Sequence, residues 1–246
     1  MTCLRLPSYF DTEGYTNAGV VVGPNATQSN EIVNRLSQTN DNPRELEYIK
    51  IGNSLNLSSG ATIPVAKGSR KVIFVDGDLN ISSNVTFDTA WNERDDIPFV
   101  MFAARNVTFG SDVSQLDGVY VAQPVSPGNG GVIRTCDATG SGVFNACRNP
   151  LVVNGALIAD TIELMRTRGS LRDARLNEGR AGVTPVNVAG NCSWTVGPTN
   201  VGTVGGTTCA AEVISFSPEV YMSISQLLTP EENFRYDSYV VLPPNL

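Results

Sequence analysis

Apolar residues along this chain fall at alternate positions in short runs, and the runs recur. Residues 49–63 read IKIGNSLNLSSGATI and residues 73–87 read IFVDGDLNISSNVTF, a shift of 24. Residues 101–113, MFAARNVTFGSDV, match the second copy without gaps at a shift of 28. Residues 151–164, LVVNGALIADTIEL, match once one residue is dropped in the turn, and GVYVAQP at 118–124 repeats only the opening. Each unit is two apolar residues two apart, a bend tolerant of Gly or Asn, a second such pair, a small polar turn, and a third pair. Period-two alternation places side chains on opposite faces of a strand. In the second copy it predicts an inward set of Ile73, Val75, Leu79, Ile81, Val85 and Phe87. The outward set is Phe74, Asp76, Asp78, Asn80 and Thr86.

Three short strands per unit, joined by bends too tight for a helix, suit one winding of a right-handed parallel β-helix. Each winding lays its strands beside those of the next, and stacking supplies the core that one unit cannot bury alone. The expected class is all-β, a solenoid with short capping helices and disulfide-bearing loop insertions. A β-sandwich is the alternative, because short strands with turns are also its signature. The solenoid requires Leu55, Leu79, Val107 and Leu157 to share one column. The predicted organisation is an N-terminal extension and capping helix (1–44) and a core (45–165) with insertions at 88–98 and 125–150. A long excursion (166–211) and a tail packing back on the core (212–246) follow. Ser29 or Asn30 is expected to cap the helix over the first winding.

Composition narrows the chemistry. The 246 residues hold 17 Lys and Arg against 24 Asp and Glu, a net charge of −7, with lysine only at 50, 67 and 71. Without a basic run such a chain releases few counterions from a phosphate backbone, so no nucleic-acid partner is expected. No stretch approaches the ~20 apolar residues of a membrane helix, so the chain is not expected to span a bilayer. Histidine is absent, which removes Ser-His-Asp and Cys-His catalysis and His-based zinc sites together.

The cysteines point to a compartment. Cys136 and Cys147 bracket DATGSGVFNA, Cys192 and Cys209 bracket SWTVGPTNVGTVGGTT, and Cys3 is left over. Both brackets enclose segments with little apolar content, where a cross-link removes about 3 kcal/mol of unfolded-state entropy. Two disulfides of an exported protein are expected. Residues 1–22 show no signal peptide, so an exported chain would be the mature part of a longer precursor. Six N-x-S/T triplets, at Asn25, Asn56, Asn80, Asn84, Asn106 and Asn191, are read as polar strand-face residues.

Four clusters resemble sites. Asp76, Asp78 and Asn80 start like a calcium loop, but Ile81 and Phe87 stand where that loop needs Gly and Glu, so a solvated face is expected. Glu93, Asp95 and Asp96 form the one tight acidic group; a sugar-cleaving pair would draw carboxylates from neighbouring windings, so a solvated loop is expected here too. Arg166, Arg168, Arg172, Arg175 and Arg180 are interleaved with Asp173 and Glu178, which suggests internal ion pairing. Phe74, Phe102 and Tyr120 take the same outward position in three successive units, a candidate ligand face for sugar rings or a protein. No catalytic residue, metal ligand or cofactor is assigned.

GVYVAQP, the Cys136–Cys147 loop, NPLVVNGALIADTIELMRTRG, AAEVISFSPEVYMS and the closing YDSYVVLPPNL together resemble a family. It is the C-terminal β-helix region of large uncharacterised surface proteins of ultra-small, candidate-phyla bacteria, encoded near type IV pilus genes. The likeness covers about residues 70–170 and 210–246 and departs over 166–211. It implies architecture and location, not chemistry. The repeat alone is similar, more weakly, to cytoplasmic bactofilins, whose uninterrupted windings lack such insertions and cysteine pairs. The expectation is a non-enzymatic extracellular structural or adhesive module, cell-surface or pilus-associated, with a protein or glycan partner at the envelope. A polysaccharide-active lyase or hydrolase and an end-to-end filament subunit are the alternatives.

Overall fold

The computed structural model describes residues 20–22, 28–42, 45–126, 128–140, 146–147, 149–166, 191–196, 199–205, 212–215 and 217. In chain order come β1 (Val20–Val22), the helix α1 (Gln28–Leu36), β2 (Glu47–Ile51), β3 (Leu55–Leu57), β4 (Thr62–Val65), β5 (Arg70–Val75) and β6 (Leu79–Ile81). Next are β7 (Asn84–Phe87), β8 (Phe99–Ala104), β9 (Asn106–Phe109), β10 (Gln115–Ala122), β11 (Pro124–Ser126), β12 (Asn129–Gly130) and β13 (Val132–Arg134). β14 (Leu151–Ile158), β15 (Thr161–Glu163), β16 (Asn191–Val196), β17 (Thr199–Gly205) and β18 (Glu212–Ser215) complete the strands, and one 3-10 turn (Arg94–Asp96) lies between β7 and β8. The described residues are thus an all-β structure with little helix.

Two sheets carry the fold. One has nine strands, in the order β1-β2-β5-β8-β10-β14-β18 with β4 and β7 joined through β10; the other has the order β15-β13-β9-β6-β3. Every ladder in both is parallel. The antiparallel hairpins of a β-sandwich do not build them. Antiparallel pairing is confined to β11–β12 and to β16–β17, which puts a hairpin inside the excursion where the sequence shows almost no strand pattern.

Register turns the alternating pattern into columns of side chains. Ile49, Ile73, Phe102, Tyr120 and Leu157 are successive partners in the first sheet. Ile63, Val85, Leu116, Val153 and Ile214 form a second column on that sheet. Leu55, Leu79, Val107, Ile133 and Ile162 form the third, on the other sheet. Most of these residues belong to one buried cluster, with Val75 and Ile81, as the alternation requires; Phe87 is only half-buried at its rim. The column of Leu55, Leu79 and Val107 is present, but Leu157 is not in it: Ile133 sits beside Val107, and Leu157 pairs with Tyr120. The reason is a change in how the strands join. β4 and β5 are separate strands, whereas β10 and β14 run through one corner as single eight-residue strands. LVVNGALI therefore starts earlier in the unit than its likeness to residues 73–87 suggests. The 125–150 insertion correspondingly contains β13, a strand of the second sheet.

Leu79 is fully buried between Leu55 and Val107. Leu79→Ala leaves a cavity in a column that cannot collapse without shifting both neighbours, and should cost about 2–5 kcal/mol. Urea unfolding checks this; an unchanged midpoint would mean that the column is not filled.

The helix α1 buries Ile32 and Leu36 in the same cluster and runs against β3 and β4. It begins at Gln28, so Ser29 and Asn30 are inside it rather than capping it. The Ser29 hydroxyl instead accepts the Ser58 amide and donates to the Ser58 carbonyl, both at 3.0 Å, tying the helix to the turn after β3.

Candidate functional site

The aromatic face does not form. Residues 101–113 align with 73–85 at a shift of 28, and β9 pairs with β6 at that shift, Leu79 beside Val107. β8, however, pairs with β5 at a shift of 29, Ile73 beside Phe102, because the bend before β9 is one residue shorter. A slip of one residue moves every side chain to the other face. Phe102 and Tyr120 therefore lie in the main core, fully buried and stacked 5.7 Å apart, with Phe109 edge-on to Tyr120 at 5.3 Å. Phe74 lies on the opposite face of the sheet, beside Ala103, in a second buried cluster with Val72, Met101 and Val121. Tyr48 stacks on it at 6.4 Å. None of the three is open to a ligand.

Two of the acidic candidates, Asp78 and Asp96, are engaged in building the structure. Asp78 accepts both Nε and Nη2 of Arg105, at 2.9 and 2.8 Å, and Nδ2 of Asn106 at 2.9 Å. The Arg105 guanidinium holds its carboxyl below the usual range, with Asn106 adding to the effect. Asp76 is pushed the other way by partial burial. Asp96 accepts Lys67 Nζ at 2.9 Å and the Asn92 amide at 3.2 Å, and Lys67 holds its carboxyl low. A carboxylate held low by a fixed cation is poorly suited to act as a general acid. Among the described residues no group of three or more His, Cys, Asp or Glu is placed to hold a metal ion.

The N-x-S/T asparagines of the parallel sheets bond from one strand or turn to the next. Asn80 Nδ2 donates to Asn56 Oδ1 at 2.8 Å. Asn84 Oδ1 receives the Ser114 and Gln115 amides at 2.8 and 3.1 Å, and Asn106 Oδ1 the Val132 amide at 3.2 Å.

Cys136 and Cys147 form a disulfide, Cα atoms 5.9 Å apart, and both are buried. The expected Cys192–Cys209 pair falls outside the residues whose side chains are described, as does Cys3. Of the arginine group only Arg166 is described. It is not a loop ion pair: it is 5% exposed and its guanidinium donates to backbone carbonyls of Gly110, Ser111, Thr135 and Asn149.

Two buried polar groups escaped the sequence reading. Lys71 is buried against Glu47, which also accepts Arg35 Nη1 at 2.9 Å. Its signal was available: Glu47 and Lys71 are separated by the 24 residues that align the first two units. Asp117, 7% exposed, accepts the Phe87 amide and Asn154 Nδ2, both at 2.8 Å, and Gln115 Nε2. Burial raises its carboxyl pKa despite these donors.

Asp117 and Asp78 give opposite pH dependence. For Asp117 the folded value lies above the unfolded one, so the folded state holds more protons between the two and stability falls as pH rises through that window. For Asp78 the folded value lies below, so its contribution is complete above the unfolded value and is lost as pH falls through the folded one. Urea midpoints measured against pH should lose their decline above the ordinary aspartate value in Asp117→Asn, and their rise below it in Asp78→Asn. Unaltered slopes in both variants would contradict these assignments.

Compared with protein-family models, curated proteins and solved structures, the chain matches none of them.

Proposed function

We propose that this chain is a right-handed parallel β-helix serving as a non-enzymatic, extracellular structural or adhesive module of a bacterial cell-surface or pilus-associated protein. The observation that carries the reading is the use made of its polar groups. Asparagine ladders, the Arg105–Asp78 fork and the Arg166 carbonyl cluster are spent joining one unit to the next. Polar groups that tie neighbouring strands together suit a chain to bearing load and presenting loops. The Cys136–Cys147 disulfide supports an oxidising compartment. The resemblance of residues 70–170 and 210–246 to candidate-phyla surface proteins supports the bacterial envelope, with a protein or glycan partner there.

Two measurements test the proposal. Thiol counting under denaturing, non-reducing conditions should find at most three free cysteines; five would return the chain to a reducing compartment. A glycan panel should give binding without turnover or no binding. Turnover abolished by Asp95→Asn would replace the scaffold with a polysaccharide-active enzyme.

A further inference from the structure

Asparagine followed directly by glycine occurs twice in the chain, at Asn129-Gly130 and Asn154-Gly155. In such a pair the glycine nitrogen can attack the asparagine Cγ and close a five-membered ring. No Cβ on the second residue crowds the approach, and its backbone turns freely. The attack needs a carboxamide that can swing over its own backbone and a peptide that can leave strand geometry. The fold denies both to one pair and leaves both to the other.

Asn154 lies within β14 between two parallel strands, beside Asp117 of β10 and Ser215 of β18. Its Nδ2 donates to Asp117 Oδ1 at 2.8 Å. Gly155 is pressed against Gly118, whose carbonyl oxygen would stand 1.9 Å from an added Cβ. Asn129 is the opposite case. It is exposed, on the two-residue strand β12, which pairs with β11 alone among the described residues. That ladder is irregular between Pro124 and Ser126, and Pro124, the partner of Gly130, has no N–H to donate. Gly128 and Gly130 flank Asn129 with φ of +79° and +102°, and nothing lies within 4 Å of a carbon added at Gly128.

We infer that Asn129 is a site of spontaneous deamidation, which rewrites this hairpin tip while the stack stays intact. The Gly130 nitrogen bonds to Asn129 Cγ, the Cγ–Nδ2 bond breaks, and Nδ2 departs as ammonia with the proton that Gly130 gives up. Solvent water then opens the ring. Cleavage at the side-chain carbonyl leaves aspartate; cleavage at the main-chain carbonyl leaves isoaspartate, with one more carbon in the backbone. Either product takes the net charge from −7 to −8, since −7 − 1 = −8. The change stops at the base of the hairpin, where the Gly131 amide donates to the Arg105 carbonyl at 2.8 Å and the Val132 amide to Asn106 Oδ1 at 3.2 Å. The inference is independent of the surface-scaffold reading.

Peptide mapping of the full chain tests it. Arg105, Arg134, Arg148 and Arg166 bound tryptic peptides 106–134 and 149–166, which separate the two pairs. In native protein aged at slightly alkaline pH and body temperature, ammonia should be exchanged for water at Asn129 about tenfold or more faster than at Asn154, which reacts only when β14 opens. Equal native rates, or a faster Asn154, overturn the inference. In concentrated urea the two rates should converge; a gap that persists there belongs to local sequence and overturns it as well. Asn129→Gln should abolish the acidic form that ion exchange separates, because its longer side chain must close a larger ring. An undiminished acidic form overturns the assignment to Asn129. Aged wild type should keep the thermal midpoint of fresh protein; a lowered midpoint overturns the placement of the change outside the stack.

Discussion

Gly155→Ala should unfold this protein at a temperature roughly 10 °C lower than wild type. Gly118 and Gly155 are direct partners in the β10–β14 ladder, at the corner where each strand passes from the second column to the first. Both have positive φ, +118° and +150°. A Cβ on Gly155 would lie 1.9 Å from the Gly118 carbonyl oxygen, and one on Gly118 would lie 2.7 Å from the Val100 carbonyl oxygen. These neighbours are backbone, so no side-chain rotation relieves the overlap; β10 and β14 must separate along a seven-residue ladder. Such strain at a special backbone position costs about 3 kcal/mol or more. For a chain of this size each kcal/mol lowers the midpoint by about 2–4 °C. Gly60→Ala is the control: its φ is +53°, but nothing lies within 4 Å of the added carbon. It should cost only the left-handed penalty of about 1–2 kcal/mol. Equal midpoints for Gly155→Ala and wild type would mean that the two strands do not meet at this corner.

The same corner explains what the sequence discloses and what it hides. Strands of three to six residues with strict alternation, such as LNL and LNI, show both their faces and their partners, and Leu55–Leu79 and Asn56–Asn80 follow from counting 24 residues. Counting fails wherever a bend changes length. One residue lost between β8 and β9 reverses Phe102, and the glycine corner shifts Leu157 from one column to another. β13 is three residues among Gly and Thr, too short for alternation to register, and is recognised through its ladders to β9 and β15. The polar groups were legible as residue types but not in their roles. Asp78 looks like an outward carboxylate until Arg105, 27 residues on, is seen to fork onto it. Local patterns report faces; the distances that decide chemistry depend on register between units, which one slipped residue alters.

Arg166 carries the second large effect. Its Nε donates to the Thr135 carbonyl at 2.6 Å, Nη1 to Ser111 at 2.6 Å and Asn149 at 3.3 Å, and Nη2 to Gly110 at 2.7 Å. These carbonyls come from three separate turns, two of which adjoin the disulfide: Thr135 precedes Cys136 and Asn149 follows Cys147 by two. Burial lowers the guanidinium pKa, opposed by Glu212, Asp137 and Asp112; the group stays charged, since an arginine begins so far above neutrality. Arg166→Met fills similar space but strands three close carbonyls in a buried site, at about 1–3 kcal/mol for each that water cannot reach. The refunded cost of burying the cation offsets part of this, for a net loss of about 2–4 kcal/mol. Arg166→Lys should recover little, because a point charge cannot span carbonyls on three turns as a planar fork does. The readout that separates this role from general packing is local. Dithiothreitol should reduce Cys136–Cys147 faster in Arg166→Met than in wild type at equal temperature, while Leu79→Ala, equally destabilised, should change that rate less. Equal reduction rates in the two variants would show that the guanidinium does not hold the disulfide loop to the stack.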